Sequence, residues 1–156
     1  MREYSEIESK NIDFLKNNYI PFAIIRMTEN ILKHSIFDAN AEIREFLCKY
    51  KIHDFNKQQF GQEHKVFIKT HILTFVRDII TNTSLYRAGT RGDYRMWFGS
   101  SILPLTKADE LYVILCLDSE LFTVNITNYD IDSCCSNSIN NPIKKTIQLL
   151  LSQNNI

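Results

Sequence analysis

Apolar and polar positions along this 156-residue chain follow two periods, and the switches between them mark out short elements. From Ser5 to Asn17, Ile7, Phe14 and Leu15 fall on one side of a helical projection, with Glu6, Lys10 and Asp13 elsewhere, which predicts an amphipathic helix. Ser5 followed three residues on by Glu8 is a capping-box pair. Tyr19 to Met27 predicts a strand, with Ile20, Phe22 and Ile24 alternating and Pro21 at its start or on an edge. Asp38 to Tyr50 predicts a second helix, capped by Asp38, with Ile43, Phe46, Leu47 and Tyr50 inward. His53 to His64 is polar with one glycine and reads as a long loop or arm. Lys65 to Phe75 predicts a strand, Val66, Ile68 and Ile72 alternating against Lys65, Lys69 and His71, and Arg95 to Phe98 predicts a short one. Leu111–Leu117 and Leu121–Thr127 read as a hairpin across Asp118, Ser119 and Glu120. The Ser/Asn-rich stretch Asn128 to Asn140 reads as a surface loop. Asn141 to Gln153 is a closing helix with Pro142 at its first position and Ile147, Leu150 and Leu151 on one face.

Strands interleaved with two or three helices, mostly joined by segments too short for parallel crossovers, predict an α+β fold with a mainly antiparallel sheet. Two long polar segments leave the sheet and return, which favours an open barrel with projecting arms. Ile24, Val113, Leu115, Phe122, Val124 and Ile126 are its expected core. There is no repeat and no shift in composition, so residues 1–156 are read as one domain: an N-terminal helix to residue 18, a barrel over 19–127, then a loop and helix.

Composition excludes several classes. Apolar residues at 44% and charged residues at 23% are ordinary for a globular domain. No 18-residue apolar run exists, so no membrane helix is expected, and MREYSEIESKNIDF lacks the apolar core of a secretory signal. Cys48 and Cys116 lie in apolar contexts that read as core. Cys134 and Cys135 are adjacent, and no Cys/His ligand spacing appears, so zinc is not expected and a reducing cytoplasm fits.

The net charge of zero hides an asymmetry. Residues 51–95 hold 8 Lys/Arg against 4 Asp/Glu, whereas residues 96–156 hold 3 against 6. A basic sector in a neutral chain suits local contact with a polyanion. Its densest part is TSLYRAGTRGDYRMWF, Thr83 to Phe98, where Arg87, Arg91 and Arg95 recur every four residues beside Tyr86, Tyr94 and Trp97. Gly89 and Gly92 argue against one helical face, so the stretch reads as a mobile basic arm ending in the strand Arg95–Phe98. Arginine donates paired hydrogen bonds to phosphate or guanine. The alternative is a surface hairpin whose arginines pair with local acids such as Asp93. HDFNKQQFGQEHK, His53 to Lys65, adds Asn56, Lys57, Gln58, Gln59, Gln62 and Lys65; amides pair with adenine and lysines with phosphate, though such residues also fill ordinary loops.

Catalytic signatures are missing from the sequence: no phosphate-binding glycine loop, no HExxH, no nucleophile elbow, and no lysine placed after an acid on the strand ELFTVN. His34, His53, His64 and His71 have no patterned partner and read as surface residues. The chain is therefore read as a binding module with no cofactor and no metal. Besides a duplex-DNA reader, an RNA-reading or modified-base-reading module of PUA-like type, stacking a base on Tyr86, Tyr94 or Trp97, stays open. So does a small protein-interaction domain.

The series IPFAIIRMT, HDFNKQQFGQEHKV, SLYRAGTRGDYRMWF and ELYVILCLDSELFTVNIT resembles the B3-like DNA-binding specificity domain of restriction enzymes, the type found as the EcoRII effector domain and at the N-terminus of McrB-type GTPase subunits of the LlaJI group. The likeness spans about Pro21 to Thr127. It implies a pseudobarrel whose two arms embrace the major groove of double-stranded DNA. Fused or partner nuclease or GTPase domains are implied too, with the isolated domain monomeric. Carried onto this chain, one arm falls near Arg26 to His34, including Lys33 and His34, or in Asn56 to Lys65. The other falls in Tyr86 to Trp97, including Tyr86, Arg87, Thr90, Arg91, Asp93, Tyr94 and Arg95. The low overall basicity departs from a free-standing DNA-binding domain.

Overall fold

The computed structural model describes residues 3–154 and is α+β. Its strands are β1 (Ala23–Met27), β2 (Phe37–Asp38), β3 (Val66–Leu73), β4 (Asp78–Ala88), β5 (Asp93–Trp97), β6 (Glu110–Leu117) and β7 (Glu120–Asn125). They form one open seven-stranded sheet in the order β1-β6-β7-β3-β4-β5-β2. Five of its six pairings are antiparallel, and β3 runs parallel to β7, so the sheet is mixed.

β6 and β7 are buried on both faces. In β6 the near-continuous apolar run ELYVILCL sends Leu111, Val113, Leu115 and Leu117 to one core and Tyr112 and Ile114 to another. The first core lies between the sheet and three helices: α1 (Glu6–Asn17), α4 (Ile131–Ser136) and α5 (Pro142–Asn154). The expected set Val113, Leu115, Phe122, Val124 and Ile126 is buried there, with Ile24 half-buried against it. It is thus a helix-on-sheet core rather than a barrel interior. The second core gathers Met27 of β1, Phe37 of β2, Leu85, Met96, Phe98 and the inward face of α3 (Ala41–Lys49). Flat, the two edge strands would lie roughly 28 Å apart, six inter-strand steps. Both line the same core, so the sheet curls around it into a half-barrel.

Local signals explain most helix ends. Ser5 Oγ accepts from the Glu8 amide at 3.2 Å, and Glu8 Oε1 accepts from the Ser5 amide at 3.0 Å, completing the capping box of α1. Asn141 caps α5 by accepting from the Lys144 amide at 2.9 Å. The cap of α3 is Asn40, not Asp38: Asn40 Oδ1 accepts from the Ile43 amide at 3.0 Å, while Asp38 belongs to β2. Turn residues Asp118 (φ 53°) and Ser119 (φ 64°) are both left-handed, the two-residue turn that matches strand twist, so Glu120 already belongs to β7.

Three elements depart from expectation. A short helix α2 (Glu29–His34) follows β1, capped by Thr28. The stretch expected as a loop after Asn128 contains α4, capped by Asp130 and held by buried Ile131 and Cys134. β4 runs through residues that carry no clear alternation. Cys48, expected in the core, is exposed on α3. Among the described residues no helix is long and apolar enough to cross a membrane.

Candidate nucleic-acid interface

The basic stretch is a hairpin, not a loose arm. β4 and β5 pair from Ser84↔Trp97 to Ala88↔Asp93, leaving a tight turn of Gly89, Thr90, Arg91 and Gly92. Gly92 (φ 71°) sits where a Cβ would lie 2.5 Å from the Phe60 ring, so both its backbone and its surroundings call for glycine. Arg95 lies inside β5, opposite Tyr86, rather than at its start.

The three arginines have different surroundings. Arg87 Nε donates to Gly92 O at 2.9 Å and Nη1 to Phe55 O at 3.3 Å, with its guanidinium 4.6 Å from the Phe60 and Tyr94 ring centres. Arg95 donates to Asp38 of β2 and to Asp93 Oδ2 at 3.3 Å. Arg91, with an 84% exposed side chain, has one long contact, 3.4 Å to Asp93. Asp93 does pair with Arg91 and Arg95, as the surface-hairpin alternative requires. Thr90 is exposed, and Tyr94 is half-buried beneath guanidinium groups. Arg44 of α3, not singled out from sequence, lies 4.1 Å over Tyr94. In the sequence it is one more charge on a helix's solvent face.

The amide-rich segment is docked rather than free. It forms two 3-10 turns, Phe55–Lys57 and Gln62–His64, with Phe55 buried in the second core. Gln58 Nε2 donates to Leu85 O at 2.9 Å and His64 O at 3.0 Å, and its Oε1 lies 2.9 Å from His53 Nε2. The Gly61 amide donates to Arg87 O at 2.7 Å, and Phe60 bridges to Arg87. Gln58 thus holds backbone, while Asn56, Lys57, Gln59 and Gln62 are exposed. Lys65 lies 4.8 Å over the Tyr86 ring. His53 is half-buried, and burial pushes its pKa down against the opposing Gln58 bond and Asp54 charge.

Lys33 and His34 are exposed at the end of α2. A cleft of about 700 Å³ joins that helix to the hairpin base, lined by Asn30, Ile31, His34, Asp38, Tyr86 and Arg95. The sequence-selected segments therefore meet around one hairpin. Arg26 does not join them: its guanidinium binds Glu8 and the Asp109 carbonyl.

His71 is not a surface histidine. It is 8% exposed, with Nδ1 2.8 Å from Asp78 Oδ1 and Nε2 2.6 Å from Glu120 Oε1, and it stacks on Phe122 at 4.3 Å. The His71 bond holds the Glu120 carboxyl below its ordinary range. A cleft of about 710 Å³ beside this cluster is lined by Phe122, Asn141, Lys145 and Leu149 among others. Among the described residues no group of three or more His, Cys, Asp or Glu is arranged to hold a metal ion.

No family model, no curated protein and no solved structure matches this chain.

Proposed function

We propose that the chain is a sequence-specific double-stranded DNA-binding domain, a B3-like pseudobarrel serving as the specificity module of a larger cytoplasmic restriction enzyme or McrB-type GTPase subunit. The observation that carries the reading is convergence. Segments some 25 to 60 residues apart in sequence bring Lys33 and His34, Asn56, Lys57, Gln59 and Gln62, and Thr90 and Arg91 around the β4–β5 hairpin. Exposed cations and amides held on ordered backbone suit groove contact, because paired hydrogen bonds to a base edge must align together.

The roles divide by surroundings. Arg91 enters the groove. Arg87 and Arg95, already engaged by carbonyls, rings and carboxylates, hold the hairpin rigid. Lys57 meets phosphate. The domain binds as a monomer, uses no cofactor, and leaves cleavage to fused or partner domains.

Selection from a random duplex library supplies the cognate site. On it, Lys57→Ala lowers the log–log salt slope by about 0.9, the value for one lost phosphate contact, and weakens all sequences alike. Arg91→Ala costs about 1–3 kcal/mol on the cognate duplex and relaxes one base position. Absence of any enriched sequence, or wild-type affinity and mismatch profile in both variants, overturns the reading.

A further inference from the structure

The sheet carries a second surface that the duplex reading does not use. On β3 and β4 the face opposite the second core is covered only in part: Leu73 and His71 are buried there, but the stretch toward Phe67 is open. Phe67 is 62% and Ile80 60% exposed there, large apolar side chains left in solvent. Register arranges this face in rows, because directly paired residues share a side of the sheet. Lys65 precedes the pair Val66↔Leu85 and lies over Tyr86, which pairs with Arg95. The next row is Phe67, Ser84 and Trp97, and the one after it is Lys69 and Asn82. An aromatic row with a small residue at its centre is thus bordered by lysine on both sides.

The charges on and around this face are specific. Asp93 and Asp38 are engaged by Arg95, and Asp78 and Glu120 by His71. Lys69, 51% exposed, reaches Glu120 only at 3.7 Å, and Lys65 makes no ion pair among the described residues. The two lysines flanking the aromatics are therefore the charges open to a ligand. One exposed ring, Phe67, and one half-buried ring, Trp97, whose body packs against the second core, have cations at their margins; such rings match unpaired bases, which stack on aromatics while their phosphates meet lysine. A base-paired duplex hides its base faces inside the stack and has no use for such rings.

We propose that this face binds a short unpaired stretch of nucleic acid, stacking bases on Phe67 and Trp97 with backbone phosphates at Lys65 and Lys69. The site is independent of the hairpin tip, so either reading can fail without the other.

Trp97 is the single tryptophan of the chain, so its fluorescence reports on this face. The probe is a thymidine oligonucleotide of about 12 residues, compared with a blunt duplex of equal length; a run of that size is within the range single-strand binders occupy. A saturable change in Trp97 emission is expected with the single strand. Phe67→Ala should weaken it about tenfold, within the range for one lost base–aromatic stack. Lys69→Ala should lower its salt slope by about 0.7. Arg91→Ala should leave it unchanged while weakening duplex binding. Phe67 is exposed, so its alanine variant should melt like the wild type; Ile80→Asp on the same face is the second probe. Three results overturn the proposal: unchanged emission with the single strand, wild-type single-strand affinity in Phe67→Ala, Lys69→Ala and Ile80→Asp alike, or a duplex that displaces the single strand and changes emission equally.

Discussion

Replacing Glu8 by glutamine isolates the charge that ties α1 to the sheet. The carboxylate is 3% exposed. Oε1 accepts from the Ser5 amide at 3.0 Å and Arg26 Nη2 at 3.1 Å; Oε2 accepts from Thr127 Oγ1 at 2.7 Å and Arg26 Nη1 at 3.3 Å. Burial alone would raise its pKa. The bonds from Arg26, Thr127 and Ser5, with the Arg26 charge, outweigh burial and bring the value from 4.5 down to about 2. At about 1.4 kcal/mol per pKa unit, the depression is worth roughly 3 kcal/mol of folding stability at neutral pH. The folded-state pKa is the lower one, so this stability is present above 4.5 and is lost as pH falls toward 2. The linkage relation leaves about half of it at pH 3. Urea unfolding of wild type and Glu8→Gln should therefore differ by about 2–3 kcal/mol at pH 7 and by about half as much at pH 3. A difference below about 0.5 kcal/mol at pH 7, the size of an ordinary surface change, would refute the reasoning. So would a difference independent of pH.

Two further substitutions probe the frame behind the candidate interface. Leu115 is fully buried in the first core, so Leu115→Ala should cost about 2–5 kcal/mol by urea unfolding, and a loss under about 0.5 would contradict its burial. Gly92→Ala places a Cβ against Phe60 in a left-handed turn; it should cost about 1–2 kcal/mol and, by displacing Phe60 from Arg87, weaken the cognate duplex as well. Unchanged stability and unchanged binding together would mean the turn relaxes freely.

Much of the frame was legible because its signals are local. Ser5 with Glu8, Pro142 after Asn141, and the apolar repeats of β6 and β7 act within a few residues of themselves, and the structure places those elements close to where the pattern predicts them. The exposure of Lys33, His34, Asn56, Lys57, Gln59, Gln62 and Arg91 was also legible, because polar side chains in segments without apolar periodicity have no core to enter. What the residues near each other in sequence do not carry is partnership at a distance. β4 reads poorly because Ile80 stands on its open face while Thr83 is buried on the other, so DIITNTS breaks the usual apolar-in, polar-out alternation. α4 hides in a polar run because two side chains, Ile131 and Cys134, are enough to bury it. Asn11 sits on the inward face of α1 because it binds Ile126 O, Tyr129 O and the Ile131 amide, more than a hundred residues away. His71 is buried because Glu120 lies 49 residues on, brought alongside by the parallel pairing of β3 with β7. Arg87 and Arg91 look alike in the chain, yet one is fastened to carbonyls and rings and the other stands in solvent. Composition and period thus decided the elements with strong local signals, α1, α3, β6, β7 and α5. The curl of the sheet and its one parallel pairing decided which polar groups meet, since those contacts exist only after distant strands are closed together.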